Sequence, residues 1–237
     1  MTGESSIERE RARFATREHG RSLGPLAPTS EAQLRLSPLD YDAAALNSDG
    51  FLGRWQALNR SRRSTICLAR LEASGNLDNL RRLRQPERGG FRGRWFADSD
   101  IYKTLEAIGW ETGRAGDRGW SGFVDETVAL LREVQEADGY LNSWIQGVEP
   151  ERRWRRLEWS HELYCAGHLI QAAVAVARGA DRDDVLDVAR RFADLAVERF
   201  GAEGGDPGST AIPRSRRRSW SCTAKRATGA ISNSRRA

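Results

Sequence analysis

From Trp159 to Ala177 the chain sets polar and sulfur-bearing side chains ahead of a nearly unbroken apolar run. His161, Cys165 and His168 fall at i, i+4 and i+7, a spacing that on a helix lines them along one face over about two turns. Leu169 to Ala177, interrupted only by Gln171, requires burial on most sides. A polar cluster at the start of a buried helix is costly unless hydrogen-bonded, so this one is expected to line a cavity or a site.

Other helical patterns surround that central one. Leu52, Trp55, Gln56 and Asn59 open one, and Ile66 to Leu83 continues as another. Asp98-Ser99-Asp100 reads as an N-cap for Ile101 to Trp110. Phe123 to Val134 and Val185 to Phe200 repeat apolar residues at three- and four-residue steps. Gly, Asp and Pro punctuate the loops, at Asp138-Gly139, Pro150 and Gly179-Ala180-Asp181. Strand-like alternation is scarce, so the expected class is all-α: a bundle, a solenoid or a toroid of helix pairs. No fixed-period repeat marks a common solenoid.

Charge divides the chain. Residues 205–237 hold eight basic residues against one acid, Asp206, a balance of +7 that exceeds the +5 of the whole chain and leaves residues 1–204 at −2. The basic character therefore belongs to the last segment. Three widely spaced cysteines, Cys67, Cys165 and Cys222, argue against a disulfide framework. No apolar run approaches the roughly 18 residues of a membrane span, and the N-terminus lacks a signal-peptide core. A cytoplasmic location is expected.

Each motif admits a plain reading beside a functional one. His161, Cys165 and His168 suit zinc by ligand type, sugar contact by polarity, or a polar-capped core helix in which Cys165 packs as a small hydrophobe. Cys165 stands where a zincin motif would carry its second histidine. In Phe91 to Lys103, aromatics beside Asp98 and Asp100 suit carbohydrate binding, although residue chemistry alone favours helix capping for both acids. Tyr140, in the turn Asp138 to Asn142, is placed to reach a cavity. Trp144, Trp154 and Trp159 precede the central helix, compatible with a sugar cleft and equally with core packing.

The arginine-rich end reads as a nucleic-acid arm, but Ala211 to Gly229 has neither helical nor strand period. Read one base out of frame with permitted codons, it becomes His-Pro-Glu-Val-Glu-Thr-Ala-Leu-Val-Glu-Leu-Tyr-Arg-Glu-Thr-Gly-Asp-Arg, an amphipathic helix-former. A frameshift near residues 205–211 is the expectation.

The blocks Asp49-Gly50-Phe51, Gly75 to Asn79, Phe96 to Ala107, Asp138 to Asn142 and His161 to Ala173 resemble the N-terminal part of the catalytic domain of glycoside hydrolase family 127, the β-L-arabinofuranosidases. The out-of-frame peptide is similar to that family's next block, a Gly-His-Pro-Glu segment. The resemblance implies the first half of an (α/α)6 toroid over residues 46–204, preceded by an extension over 1–45 and followed by an unstructured, out-of-frame tail over 205–237. It also implies a small-molecule sugar substrate, β-L-arabinofuranoside hydrolysis in full-length members, and substrate contact by His161, with Asp98, Asp100 and Tyr140 as further candidates. Arg60 to Cys67 departs from the family, which tends to carry there a Pro, then an aromatic or His, then a substrate-contacting Gln; Ser64-Thr-Ile-Cys67 offers none of these.

The family's cysteine nucleophile, its zinc ligands and its acid/base glutamate lie in later blocks. No catalytic residue, metal ligand or cofactor is therefore expected in this chain, and zinc is expected only in full-length members. A glycosidase needs two positioned groups across the scissile bond, so an inactive, poorly soluble fragment is the expectation. The alternative is a helical scaffold whose basic arm binds nucleic acid or another polyanion; the family resemblance argues against a nucleic-acid partner, and a membrane partner is not expected.

Overall fold

The computed structural model describes residues 35–36, 39, 43–116 and 119–200, leaving aside the side chains of residues 63–65. The expected extension over 1–45 lies mostly outside the described residues, and the tail over 205–237 wholly so. The described part is all-α, with no strand among its residues. Helix α1 (Phe51–Leu58) runs through a π-helical turn at Asn59–Arg63 into α2 (Ser64–Ser74). Then come α3 (Asn76–Arg81), α4 (Asp98–Ala115), α5 (Ser121–Val134), α6 (Ser143–Val148), α7 (Leu157–Ser160), α8 (Glu162–Ala180) and α9 (Asp184–Phe200).

Two of the expected helices are broken, each by one left-handed residue. The pattern over Ile66 to Leu83 divides at Gly75, φ +83, where α2 ends and α3 begins. Glycine accepts that conformation without a Cβ penalty. The pattern from Trp159 divides at His161, φ 55, so α7 and α8 are separate helices. Helix α4 starts earlier than expected, at Asp98, and neither Asp98 nor Asp100 caps it.

Small residues bring α4 and α8 together. A Cβ on Gly109 would sit 2.5 Å from the Ala175 carbonyl carbon, and one on Gly179 would sit 2.0 Å from the Gly109 carbonyl oxygen. Around that crossing the core gathers Ile101, Leu105 and Ile108 of α4, Leu169, Ala172 and Val176 of α8, and Val188 and Phe192 of α9. Helix α5 adds Val124, Val128 and Leu131. Burying such side chains is worth about 1.5–3 kcal/mol each, which holds the helix stack together.

Polar ties fix the connections. Asn79 and Arg92 exchange two hydrogen bonds, Asn79 Nδ2 to the Arg92 carbonyl at 2.8 Å and Arg92 N–H to Asn79 Oδ1 at 2.9 Å. They pin the loop before α4. Asn142 caps α6 by accepting from Ile145 N–H at 2.9 Å. Along the exposed side of α1, Phe51, Leu52, Trp55 and Leu58 remain open to solvent.

Candidate functional site

The left-handed backbone at His161 decides the geometry of the central motif. Such a conformation is uncommon for a residue with a Cβ, and it swings the imidazole off the face of α8. Helix α8 nevertheless begins at this residue, because the Cys165 N–H donates to the His161 carbonyl at 2.9 Å. Cys165 points inward, fully buried, with Sγ 3.9 Å from the Phe96 carbonyl. His161 and His168 lie on the outer side, flanking Tyr164 edge-on with ring centroids 5.5 and 4.6 Å away.

Aromatic rings enclose His161. Its imidazole stacks on Phe96 (centroids 4.9 Å, 29° between planes) and meets Trp95 edge-on at 5.9 Å. Nδ1 lies 3.0 Å from Trp95 Nε1 and 2.6 Å from the Trp159 carbonyl oxygen. Lys103 extends the surface: its Nζ sits 5.2 Å from the Tyr164 ring centroid and 3.8 Å from Asp100 Oδ1. Asp100 is exposed and borders a cleft of about 470 Å³ together with Cys67, Asn76 and Lys103. His161 and Asp100 are thus linked along one surface through Tyr164 and Lys103. His168 adds an imidazole whose pKa is lowered, first by burial and then by Lys103.

Asp98 and Tyr140 face the interior. Asp98, 1 % exposed, accepts the Ser143 N–H at 2.7 Å and the Ser143 hydroxyl. Burial raises its pKa, against the opposing effects of the Ser143 donors and Arg82. Tyr140 is fully buried and donates its hydroxyl to Glu162 Oε1 at 2.5 Å. Burial, then the Glu162 charge, raises the Tyr140 pKa. Both residues are buried and so lie off the surface that His161 and Asp100 share. The three tryptophans before α8 also disperse. Trp144 packs on Phe91, Trp154 on Tyr140 and Phe200, and Trp159 is 62 % exposed.

Glu162 is the residue that the sequence reading passed over. It is fully buried and accepts from Tyr140 OH, from Trp154 N–H at 3.0 Å and from Ser160 Oγ at 2.6 Å. Its signal was present, because Glu162 opens the same three-and-four-step stripe as Ala166, Leu169, Ala173 and Val176. A carboxylate on a buried stripe needs partners.

The zinc reading of His161, Cys165 and His168 does not fit this arrangement. Zinc takes thiolate rather than thiol, and burial pushes the Cys165 thiol well above the usual range. Its sulfur lies against the Phe96 carbonyl instead. Among the described residues, no three His, Cys, Asp or Glu side chains gather as a metal-ligand group. No helix there is long and apolar enough to cross a membrane.

The described residues form an all-α stack of helices with an aromatic-lined histidine where α8 starts. Residues 46–211 match the beta-L-arabinofuranosidase GH127 catalytic domain, and the chain belongs to that family. Over 119 residues it is 38% identical to the non-reducing end beta-L-arabinofuranosidase of Bifidobacterium longum subsp. longum. That alignment spans 48% of this chain and 18% of the relative. The solved GH127 beta-L-arabinofuranosidase of Geobacillus stearothermophilus T6 superposes with a TM-score of 0.64 at 35% identity, covering 68% of this chain and 26% of that one. A second solved GH127 beta-arabinofuranosidase gives a TM-score of 0.59 at 26% identity, over 63% of this chain and 25% of that one. The chain therefore spans about a quarter or less of the length of these relatives. The GH127 neighbours are (α/α)6 toroids, and the described helices are consistent with part of one.

Proposed function

We propose that this chain forms the sugar-gripping part of a GH127 glycosidase and does not hydrolyse a glycoside by itself. The observation that carries the reading is the cage of Trp95, Phe96 and Tyr164 around His161. Aromatic faces pack on the apolar face of a sugar, while the imidazole and the exposed Asp100 carboxylate exchange hydrogen bonds with its hydroxyls. Asp98 and Tyr140 are buried and lie off that surface. The substrate by family is a terminal β-L-arabinofuranoside.

The second half of the proposal follows from chemistry. Retaining hydrolysis requires a nucleophile and an acid/base in fixed relation to the anomeric carbon. The blocks of this chain that match the family carry sugar contacts, and the blocks that supply those two groups have no counterpart in it. The aperiodic basic segment beyond residue 211 fits a reading-frame change, which sequencing of the coding DNA tests directly.

Binding is tested by titrating methyl β-L-arabinofuranoside while following tryptophan fluorescence. Trp95 lies within the cage, its ring edge-on to the His161 imidazole, so a saturable change is expected, and it should vanish in His161→Ala. No response at millimolar sugar, or an equal response in His161→Ala, overturns the reading.

A further inference from the structure

The Nδ1 atom of His161 has two neighbours that a neutral imidazole cannot serve together. Trp95 Nε1 is a donor and requires a lone pair on Nδ1, which puts the proton on Nε2. The Trp159 carbonyl is an acceptor and requires a proton on Nδ1. The two contacts, at 3.0 and 2.6 Å, are therefore alternatives. Each gives Nε2, on the other side of the ring, the opposite hydrogen-bonding sense.

The carbonyl is the better-held partner. The peptide that carries it lies in the turn Arg156 to Ser160, where Trp159 N–H and Ser160 N–H both donate to the Arg156 carbonyl at 2.8 Å. Glu162 grips that turn from inside, through Ser160 Oγ at 2.6 Å and, eight residues back, through Trp154 N–H at 3.0 Å. Tyr140 OH completes the anchor at 2.5 Å. Both ends of this strap, Trp154 at φ 63 and His161 at φ 55, hold left-handed backbone. Residues keep such conformations only where surrounding contacts determine them. A separation of 2.6 Å between nitrogen and oxygen is sustained with a proton between them. Trp95, by contrast, is a half-buried side chain whose indole can turn away.

We propose that Glu162 is a positioning residue that holds His161 in the Nδ1–H tautomer, bonded to the Trp159 carbonyl, and so presents Nε2 as an acceptor for a sugar hydroxyl. The step from tautomer to sugar rests on the proposed sugar-gripping role; the tautomer itself does not. A ring nitrogen's proton is commonly set by the backbone carbonyl that the other side of the ring finds. Here the buried carboxylate fixes where that carbonyl stands.

The test is a long-range proton–nitrogen correlation of the imidazoles in the full 15N-labelled chain. Only His19, His161 and His168 contribute, and His161→Asn assigns the signal. The expected result is a proton-bearing Nδ1 in the wild type and in Glu162→Gln, which keeps a carbonyl acceptor. In Glu162→Leu the proton moves to Nε2 as Trp95 takes Nδ1, and affinity for methyl β-L-arabinofuranoside falls about tenfold, the loss of one hydrogen bond. A wild-type proton on Nε2, or Glu162→Leu keeping Nδ1–H with an unchanged circular dichroism spectrum, overturns the proposal. Should Glu162→Leu fail to fold, Trp95→Phe decides: an unchanged tautomer supports the proposal, and a proton that moves from Nε2 to Nδ1 overturns it. A chain with the expected tautomer that binds no sugar would sink the sugar-gripping role alone.

Discussion

The carboxylate of Asp98, in the first turn of α4, accepts both the backbone N–H and the hydroxyl of Ser143, the first residue of α6. An acid at the start of one helix thereby satisfies a free donor at the start of another, 45 residues away. Removing an acceptor from a buried pair leaves the donor unsatisfied, at a cost of about 1–3 kcal/mol, more when the lost partner is charged. Asp98→Ala should therefore lower stability by about 3 kcal/mol in urea unfolding, and a loss under about 0.5 kcal/mol, the level of an ordinary surface substitution, would refute the tie.

The same carboxyl gives a signed pH dependence. Burial holds its folded pKa above the unfolded value of about 4. Its stabilising contribution is then complete below that unfolded value and is lost as pH rises through the folded one. Measured against Asp98→Asn, which cannot titrate, the wild type should lose relative stability on going from about pH 3 to pH 7. A relative gain over that window contradicts the assignment.

Tyr102 makes the opposite case. Its hydroxyl is buried without a hydrogen-bond partner, so the phenol bears a desolvation cost with no compensation. Tyr102→Phe should be neutral or stabilising by about 1 kcal/mol. Tyr140→Phe, which strips a donor from the buried Glu162, should instead cost about 2 kcal/mol. Thermal unfolding of the pair separates the two roles, and equal losses would show that the hydroxyls are not in different environments.

Gly109 reports on the α4–α8 crossing. A methyl group there meets Ala175 backbone at 2.5 Å, and backbone cannot rotate aside. Gly109→Ala should cost about 1–3 kcal/mol through overpacking, although alanine is the better helix former by about 1 kcal/mol. Unchanged stability would mean that the helices are farther apart.

How much of this was legible in the residues depends on the range of the contact. Helices α5 and α9 followed from local apolar periodicity, and α4 and α8 did so in their interiors. The break at His161 did not, because a histidine in left-handed backbone leaves no mark on periodicity. Its cause is tertiary, in the Glu162 strap and the Phe96 stack. Asp98 and Tyr140 were legible as polar residues in a promising stretch. Their partners, Ser143 and Glu162, lie 45 and 22 residues away, so whether each faces a ligand or the core is a matter of packing. Glu162 was open to detection by its place on the buried stripe of α8.

The proposed role, holding the sugar without cleaving it, has a direct test. The direct measurement is incubation of the purified full chain with 4-nitrophenyl β-L-arabinofuranoside, following both nitrophenolate release and protection of tryptophan fluorescence. Saturable, His161-dependent binding with no release above the buffer rate is the expected result. Release of nitrophenolate with turnover by the wild-type chain would contradict it.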